Sequence, residues 1–350
     1  MPSPDTPYIR NHWYVAGWSS EFGEGFTTAT ILEQDIVLYR TDGDVVAFQD
    51  RCPHRALPLS MGKRIGDAIQ CGYHGLTFGP DGGCIRVPGQ KSIPPQAWVR
   101  RYPTHERHGI VWIWMGEDDL ADPADIFDLS QLSDSAWAAV QGDALKFRSN
   151  YLNVADNLCD PAHVSFVHPT TLGNASSEDV PVKAKRNGRT VEVSRWIRDG
   201  EPIGFFRAYG GFEGHVDRWH YYYLHSPCIA VIDFGSADAA LALPPERRSE
   251  GVQIFALHFM TPVDATTTID RWMHIRNTAI DDASAGAKIS DLLRIAFAED
   301  KAILEAVQRT ELKPSDREPV RVAIDSGANI YRRIIREMLA EETPHAEAAE

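Results

Sequence analysis

Cys52-Pro53-His54 and Cys71-Gly72-Tyr73-His74 place one thiol and one imidazole on each of two short segments, with sixteen residues between them. A zinc finger groups its cysteines first and its histidines second. Here each segment offers one soft anionic sulfur and one neutral nitrogen. That order suits a [2Fe-2S] centre in which two thiolates hold one iron and two imidazoles hold the other. The neutral ligands raise its potential above that of an all-cysteine cluster, so it accepts an electron readily. A structural zinc site, which also tolerates mixed ligation, is the competing reading. Pro53 stiffens the first loop, and Gly72 and Gly75 let backbone amides approach sulfur, which favours the cluster.

A second group lies further along. Asp160-Pro161-Ala162-His163 is followed by His168-Pro169. A spacing of five turns an ideal helix through about 140° from one face, so one imidazole belongs on a helix and the other just past its end, where Pro169 breaks it. Two such histidines alone are commonplace, and a metal needs a third donor. On a helix through Asp300, Leu293, Ala296, Phe297, Ile303, Leu304 and Val307 fall within about 60° of it, at about 100° per residue. Glu299, Lys301, Glu305 and Gln308 fall on other sides. A carboxylate on an apolar face must be compensated, whether by an ion pair, a hydrogen bond within the helix or a metal. With His163 and His168, Asp300 completes the two-histidine, one-carboxylate triad of mononuclear non-haem iron(II), which keeps positions open for oxygen and substrate. Oxygen activation there needs a further electron, and a thiolate–imidazole cluster in the same chain can supply it.

The elements that must carry these groups divide the chain. Up to about residue 120 it reads as short strands and turns. Ile31 to Tyr39 and Val45 to Phe48 flank the hairpin signal Thr41-Asp42-Gly43-Asp44, and Gly109 to Trp114 alternates as a closing strand. Asp118 to Ser135 is an acidic connection. Leu145 to Pro169 contains a helical stretch, Val180 to Ala265 alternates as antiparallel strands, and Ala287 to Glu311 is an amphipathic helix. The expected organisation is a β-rich cluster domain at 1–120, a catalytic domain at 121–340, and an acidic, frayed tail at 341–350.

The motif C-P-H, then C-x-Y-H-G, then N-x-x-D-x-x-H-x4-H, then Glu-Asp before Ile-Leu-Glu-Ala on a helix, resembles the Rieske non-haem iron oxygenases. The resemblance extends from Ile9-Arg10-Asn11-His12-Trp13-Tyr14 to the C-terminal helices. It is strongest to the branch of vanillate and dicamba O-demethylases and toluenesulfonate methyl-monooxygenases, through Pro88-Gly89-Gln90 and His168-Pro169-Thr170-Thr171-Leu172-Gly173. The resemblance implies an α+β fold, with an N-terminal β-rich Rieske [2Fe-2S] domain followed by a helix-grip catalytic domain of antiparallel sheet plus helices. It implies that Cys52, His54, Cys71 and His74 hold the cluster and that His163, His168 and Asp300 hold the iron. Asp160 matches the aspartate that bridges a cluster histidine of one subunit to an iron histidine of the next in a head-to-tail homotrimer. Its local alternative is a helix N-cap ahead of Pro161. Asn157 matches an asparagine beside the iron.

The implied activity is monooxygenation, with O2 as cosubstrate and electrons from NADH through a separate flavin and iron-sulfur reductase, with or without a ferredoxin between them. The expected substrate is an aromatic acid hydroxylated at a methyl or methoxy carbon, with loss of the methyl group when it is methoxy. Ring hydroxylation, or attack on a polycyclic substrate, stays open. Strands between Arg218 and Met260 are expected to line the pocket, with Tyr221, Tyr223, Phe234, Phe255 and His258 as candidates. His258 is the candidate donor to a carboxylate or sulfonate.

Composition limits the rivals. The chain has 350 residues with 43% hydrophobic content, enough for two cored domains, and its apolar runs are far too short to cross a bilayer. A net charge of −14 argues against a nucleic-acid partner. Of five cysteines, Cys84, Cys159 and Cys228 remain after the cluster, an odd number that fits a reducing cytoplasm. The opening Met-Pro-Ser-Pro-Asp-Thr-Pro lacks the basic-then-apolar pattern of a secretion signal. An electron-transfer domain fused to a binding module, or a zinc-stabilised binding protein, would leave Asp300 without a role.

Overall fold

A computed structural model describes residues 8–347. The opening segment and the last three residues of the acidic tail lie outside them. The chain divides into two compact units, Tyr8–Phe127 and the remainder from Asp128 onward.

The N-terminal unit is built from short strands, β1 (Trp13–Trp18), β2 (Thr27–Ile31), β3 (Gln34–Arg40), β4 (Val45–Gln49), β5 (Lys63–Ile65), β6 (Ala68–Gln70), β7 (Thr77–Phe78), β8 (Cys84–Arg86), β9 (Arg101–Tyr102), β10 (Thr104–Arg107) and β11 (Ile110–Trp114). They form three antiparallel sheets with orders β1-β11-β10, β2-β3-β4-β9 and β5-β6-β7-β8. The β3–β4 hairpin closes where Thr41 N–H donates to Asp44 O at 2.9 Å. Sequence alternation starts the first strand of this hairpin at Ile31, the last residue of β2, and runs it on through β3. In the fold Leu32 and Glu33 both take positive φ, and the chain reverses there without the Gly or Asn that usually marks such a turn. Val37, Tyr39, Phe48, Ile69 and Phe78 make a core in which Cys52 and Cys71 are also embedded.

The second unit is organised on a seven-stranded antiparallel sheet. In chain order its elements are β12 (Ala138–Phe147), α1 (Tyr151–Leu158), α2 (Val164–Val167), β13 (Lys183–Asn187), β14 (Thr190–Gly200), α3 (Gly204–Tyr209), β15 (Val216–His225), β16 (Ile229–Asp238), β17 (Val252–Asp264), β18 (Thr267–Arg276), α4 (Ala283–Glu311) and α5 (Ser326–Glu347). The sheet order is β12-β18-β17-β16-β15-β14-β13. β13 to β18 are a meander, and β18 also pairs with β12, the first strand of the unit, which forms one edge.

Helix α4 starts at Asp282, whose carboxylate accepts from the Ser284 and Ala285 amides, a standard N-cap. Its buried stripe is Ile289, Leu293, Ala296, Phe297, Asp300 and Leu304. Ile303 and Val307, expected on that stripe, are 49% and 41% exposed, because the stripe drifts around the helix towards Gln308. Gln308 is buried because its side chain accepts from the Asn150 amide at 2.7 Å, a tie that helical periodicity does not reveal. The expected frayed tail is corrected in part, since α5 continues through Glu347. No described helix is long and apolar enough to cross a membrane.

Candidate active site

The two cysteine loops share one backbone plan. Ala56 N–H donates to Cys52 O, and Cys52 N–H to Leu57 O, both at 2.9 Å. Gly75 N–H donates to Cys71 O at 3.1 Å, and Cys71 N–H to Leu76 O at 2.8 Å. The residue four after each cysteine is left-handed, φ 56° at Ala56 and 74° at Gly75, which tightens each loop. Gly72 has a different reason to be glycine, because a Cβ there would sit 2.8 Å from the Met61 carbonyl oxygen.

Both thiols are buried and unpaired by disulfide, whereas His54 and His74 are exposed and meet edge to face with ring centres 4.6 Å apart. Burial pushes the Cys52 thiol up, while the His54 and Arg55 amides pull it down and the neighbouring Cys71 pushes it up again. Two adjacent buried sulfurs with two imidazoles at the surface are a donor set that a binuclear iron–sulfur cluster fits.

In the second unit, His163 and His168 flank the single turn of α2, at its N-cap and C-cap. Neither lies on α1, where a longer helix was expected to carry one of them. His168 has left helical geometry, with φ −117° and ψ 45°, and both imidazoles reach Asp300 on α4. His163 Nε2 lies 3.5 Å and His168 Nε2 3.2 Å from Asp300 Oδ1. One donor atom from each residue falls within 4.8 Å of the others.

The outer nitrogens are held by oxygen. His163 Nδ1 bonds the Asp160 carbonyl, and His168 Nδ1 bonds Glu299 Oε2 at 2.7 Å. With both Nδ1 protons donated outward, the two Nε2 lone pairs and a carboxylate oxygen converge, an arrangement that calls for a cation between them. Burial raises the Asp300 carboxyl, but the His168 and His163 rings and the Asn157 amide outweigh it and hold it below the usual carboxylate range. Burial lowers the His163 imidazole. A mononuclear metal fits this set.

Asn157, on the last turn of α1, donates from Nδ2 to Asp300 Oδ1 at 3.0 Å. Asp160 is not the helix N-cap, which is His163; in the turn ahead of α2 its Oδ1 accepts from the Ala162 amide at 2.7 Å, while Oδ2 lies 4.0 Å from His163 Nδ1. Sequence reasoning put Glu299 on a side of α4 with no role. In the fold it binds both His168 and the Thr171 hydroxyl, the latter at 3.1 Å. The Glu-Asp pair at 299–300 was the only available hint.

A cavity partly open to solvent lies against the triad and is lined by Leu172, His220, Tyr222, Phe234, His258 and Phe297, among others. His258 Nδ1 bonds Asp270 Oδ2 at 2.7 Å, and its Nε2 is buried with no partner. Phe234 lies on the same wall.

Tyr223, Tyr221 and Phe255 do not line the cavity, and the expectation for them is corrected. Strand parity sends odd-numbered residues of β15 and β17 to the opposite face. There Arg248 lies 4.3 Å above the Tyr221 ring and bonds the Tyr223 hydroxyl at 3.0 Å, and Phe255 packs on Trp137.

Residues 12–103 match the Rieske [2Fe-2S] domain, and residues 147–341 match the vanillate O-demethylase oxygenase C-terminal domain. The chain belongs to the Rieske non-haem iron oxygenases. It is 37% identical over 341 residues to the toluene-4-sulfonate monooxygenase system iron-sulfur subunit of Comamonas testosteroni, covering 96% of this chain and 98% of the relative. It is 32% identical to a vanillate O-demethylase oxygenase subunit of a Pseudomonas species, covering 98% of each. Its structure superposes on dicamba monooxygenase bound to dicamba with a TM-score of 0.84 at 29% identity, covering 98% of this chain and 100% of the other. This oxygenase is thus an α+β enzyme with a Rieske domain ahead of its catalytic domain, and it uses a [2Fe-2S] cluster, a non-haem iron and O2. As an oxygenase component it draws its electrons from a separate partner.

Proposed function

We propose that this oxygenase hydroxylates a methyl or methoxy carbon of an aromatic acid. One atom of O2 enters the C–H bond, and the other leaves as water with two electrons and two protons. A hydroxylated methoxy group then breaks the bond between the ring oxygen and the hydroxylated carbon, the hydroxyl proton passing to the ring oxygen, leaving a phenol and formaldehyde. The observation that carries this reading is the convergence of the His163, His168 and Asp300 donors on a largely apolar cavity whose wall holds the unpartnered Nε2 of His258. The names and similarity of the toluenesulfonate, vanillate and dicamba relatives support it.

Cys52, His54, Cys71 and His74 would hold the cluster, and His163, His168 and Asp300 the iron. When bound, the cluster supplies single electrons and the iron activates oxygen. The chain's own residues prepare the place. Asn157 keeps Asp300 Oδ1 aimed inward, and Glu299 and the Asp160 carbonyl orient the two imidazoles. With Nδ1 committed to Asp270, Nε2 is the nitrogen of His258 left to meet an oxygen of the substrate. Leu172, Ile232, Leu293 and Phe297 exclude water around a ring.

In a head-to-tail homotrimer, Asp160 would span between His163 and His74 of a neighbouring copy, orienting both rings. The reductase would use NAD(P)H, flavin and an iron–sulfur centre, and the setting would be cytoplasmic.

The test is a panel of methyl- and methoxy-substituted benzoates and benzenesulfonates, supplied with reductase and NADH. Substrate-dependent O2 and NADH consumption with hydroxymethyl products, or phenol plus formaldehyde, is the expected result. Oxidation confined to ring carbons would overturn the reading.

A further inference from the structure

Asn157 meets Asp300 from α1, a helix of only eight residues. So short a helix has little stability of its own, and its rotation about its axis is set by what its side chains hold. Asn153 lies one turn before Asn157, and Asp156 is its immediate neighbour. Neither the iron site nor the substrate reading uses them.

Both are held by Arg332 on α5. Its Nε and Nη2 donate to Asp156 Oδ2 at 2.8 and 2.6 Å, and Nη2 also donates to Asn153 Oδ1 at 3.0 Å. Asp156 Oδ1 is buried without a partner, so among the described residues Arg332 alone satisfies this carboxylate. Burial pushes the Asp156 carboxyl up, and the Arg332 guanidinium pulls it down. A guanidinium can only donate, so the Asn153 amide must turn its oxygen to Arg332 and its nitrogen the other way. That nitrogen donates to Glu311 Oε2, on the last turn of α4, at 2.7 Å. Helix α1 is thus tied to α4 twice, through Asn153 to Glu311 and through Asn157 to Asp300, with Arg332 closing the network from behind.

The base of Arg332 is itself fixed. The buried Tyr331 donates its hydroxyl to the Pro227 carbonyl at 2.5 Å, anchoring this turn of α5 between β15 and β16. Gly327 lets the first turn of α5 rest against the end of α1, since a Cβ there would lie 2.4 Å from Val193 Cγ2 and 3.3 Å from the Cys159 carbonyl oxygen. Removing the Arg332 charge leaves the Asp156 carboxylate uncompensated. Any turn of α1 that carries Asp156 towards water then carries the Asn157 amide off Asp300, because the two side chains leave adjacent positions of one helix.

We propose that Arg332 is a positioning residue of the iron site. Through Asp156 it fixes the turn of α1 from which Asn157 meets Asp300, so the C-terminal helix governs how tightly the iron is held. The inference rests on the assignment of iron to His163, His168 and Asp300, which the experiment tests separately.

Chelator competition on the holoenzyme, read as iron content beside cluster absorption, compares the wild type with Arg332→Met, Asn157→Leu and the double variant. Arg332→Met is expected to weaken iron binding about fivefold and Asn157→Leu about tenfold, with the cluster absorption unchanged. The double variant should be no weaker than Asn157→Leu, because both changes remove the same contact, whereas independent effects would multiply to about fiftyfold. Arg332→Lys, which keeps a donor for Asp156, should recover part of the loss. Arg186→Met breaks the 3.1 and 2.6 Å pair that ties β13 to Glu337 on α5, and it should leave iron affinity unchanged. Wild-type iron affinity in Arg332→Met, even with a lowered melting temperature, overturns the inference, as does a multiplied loss in the double variant or an equal loss in Arg186→Met. If Arg332→Met does not fold, wild-type affinity in both Arg332→Lys and Asp156→Asn overturns it. Iron held at wild-type affinity by Asp300→Ala would overturn the metal assignment and the inference together.

Discussion

Glu299 Oε2 accepts the Nδ1 proton of His168 at 2.7 Å, one residue before the carboxylate that faces the same ring's Nε2 at 3.2 Å. Two consecutive acids on α4 thus flank one imidazole, the outer one setting its tautomer and the inner one facing the nitrogen that would hold the metal. Glu299→Ala is expected to weaken iron binding by about 10- to 100-fold, as loss of such outer partners commonly does. Chelator competition against iron content measures it, and the cluster's visible absorption should not change. Wild-type iron retention would remove Glu299 from the site.

Asn157→Leu removes the 3.0 Å donor to Asp300 Oδ1 at nearly constant volume. The carboxylate then has one orienting partner fewer in a buried setting, and both iron affinity and kcat should drop by about tenfold. Unchanged kcat at full iron loading would show that the amide only packs.

Asp160→Asn can retain the 2.7 Å hydrogen bond from the Ala162 amide through its side-chain oxygen while losing its charge. Both metal sites should fill normally, reductase should still reduce the cluster, and turnover should fall by about 100-fold or more. Stopped-flow reduction beside steady-state turnover separates the two effects, and normal turnover contradicts the bridging role.

His274 gives a stability prediction away from the metals. It is fully buried, its Nε2 lies 3.2 Å from Gly286 O and 3.1 Å from Ser290 Oγ, and burial lowers its pKa to about 4. Between pH 6.5 and about 4 the unfolded chain binds this proton and the folded chain does not. The stabilisation is therefore present above pH 6.5 and lost as pH falls, by about 3 kcal/mol at most. Urea midpoints should decline from pH 7 to pH 5, and His274→Gln should flatten that slope.

The chemistry-bearing residues were legible in the sequence because their spacing is local. A cysteine and a histidine within four residues share one loop, and two histidines flanking four residues share one turn, whatever the rest of the fold does. Asp300 was legible for a different reason, as a charge on an apolar stripe, even though Ile303 and Val307 turned out of it. Tyr223 and Phe255 were misplaced because composition marks a strand without saying which way it faces, and a shift of one residue exchanges the two sides.

The sequence by itself determined the two donor sets and the kind of electron chemistry they suit, since ligand type and short-range geometry depend only on neighbouring residues. The tertiary structure alone decided which oxygen holds each outer nitrogen, that Glu299 belongs to the site, and that Arg332 holds Asp156 beside it. Those relationships join residues 131 and 176 positions apart across separate helices. No local propensity encodes such pairings, because they exist only once the packing of α4 and α5 has been set.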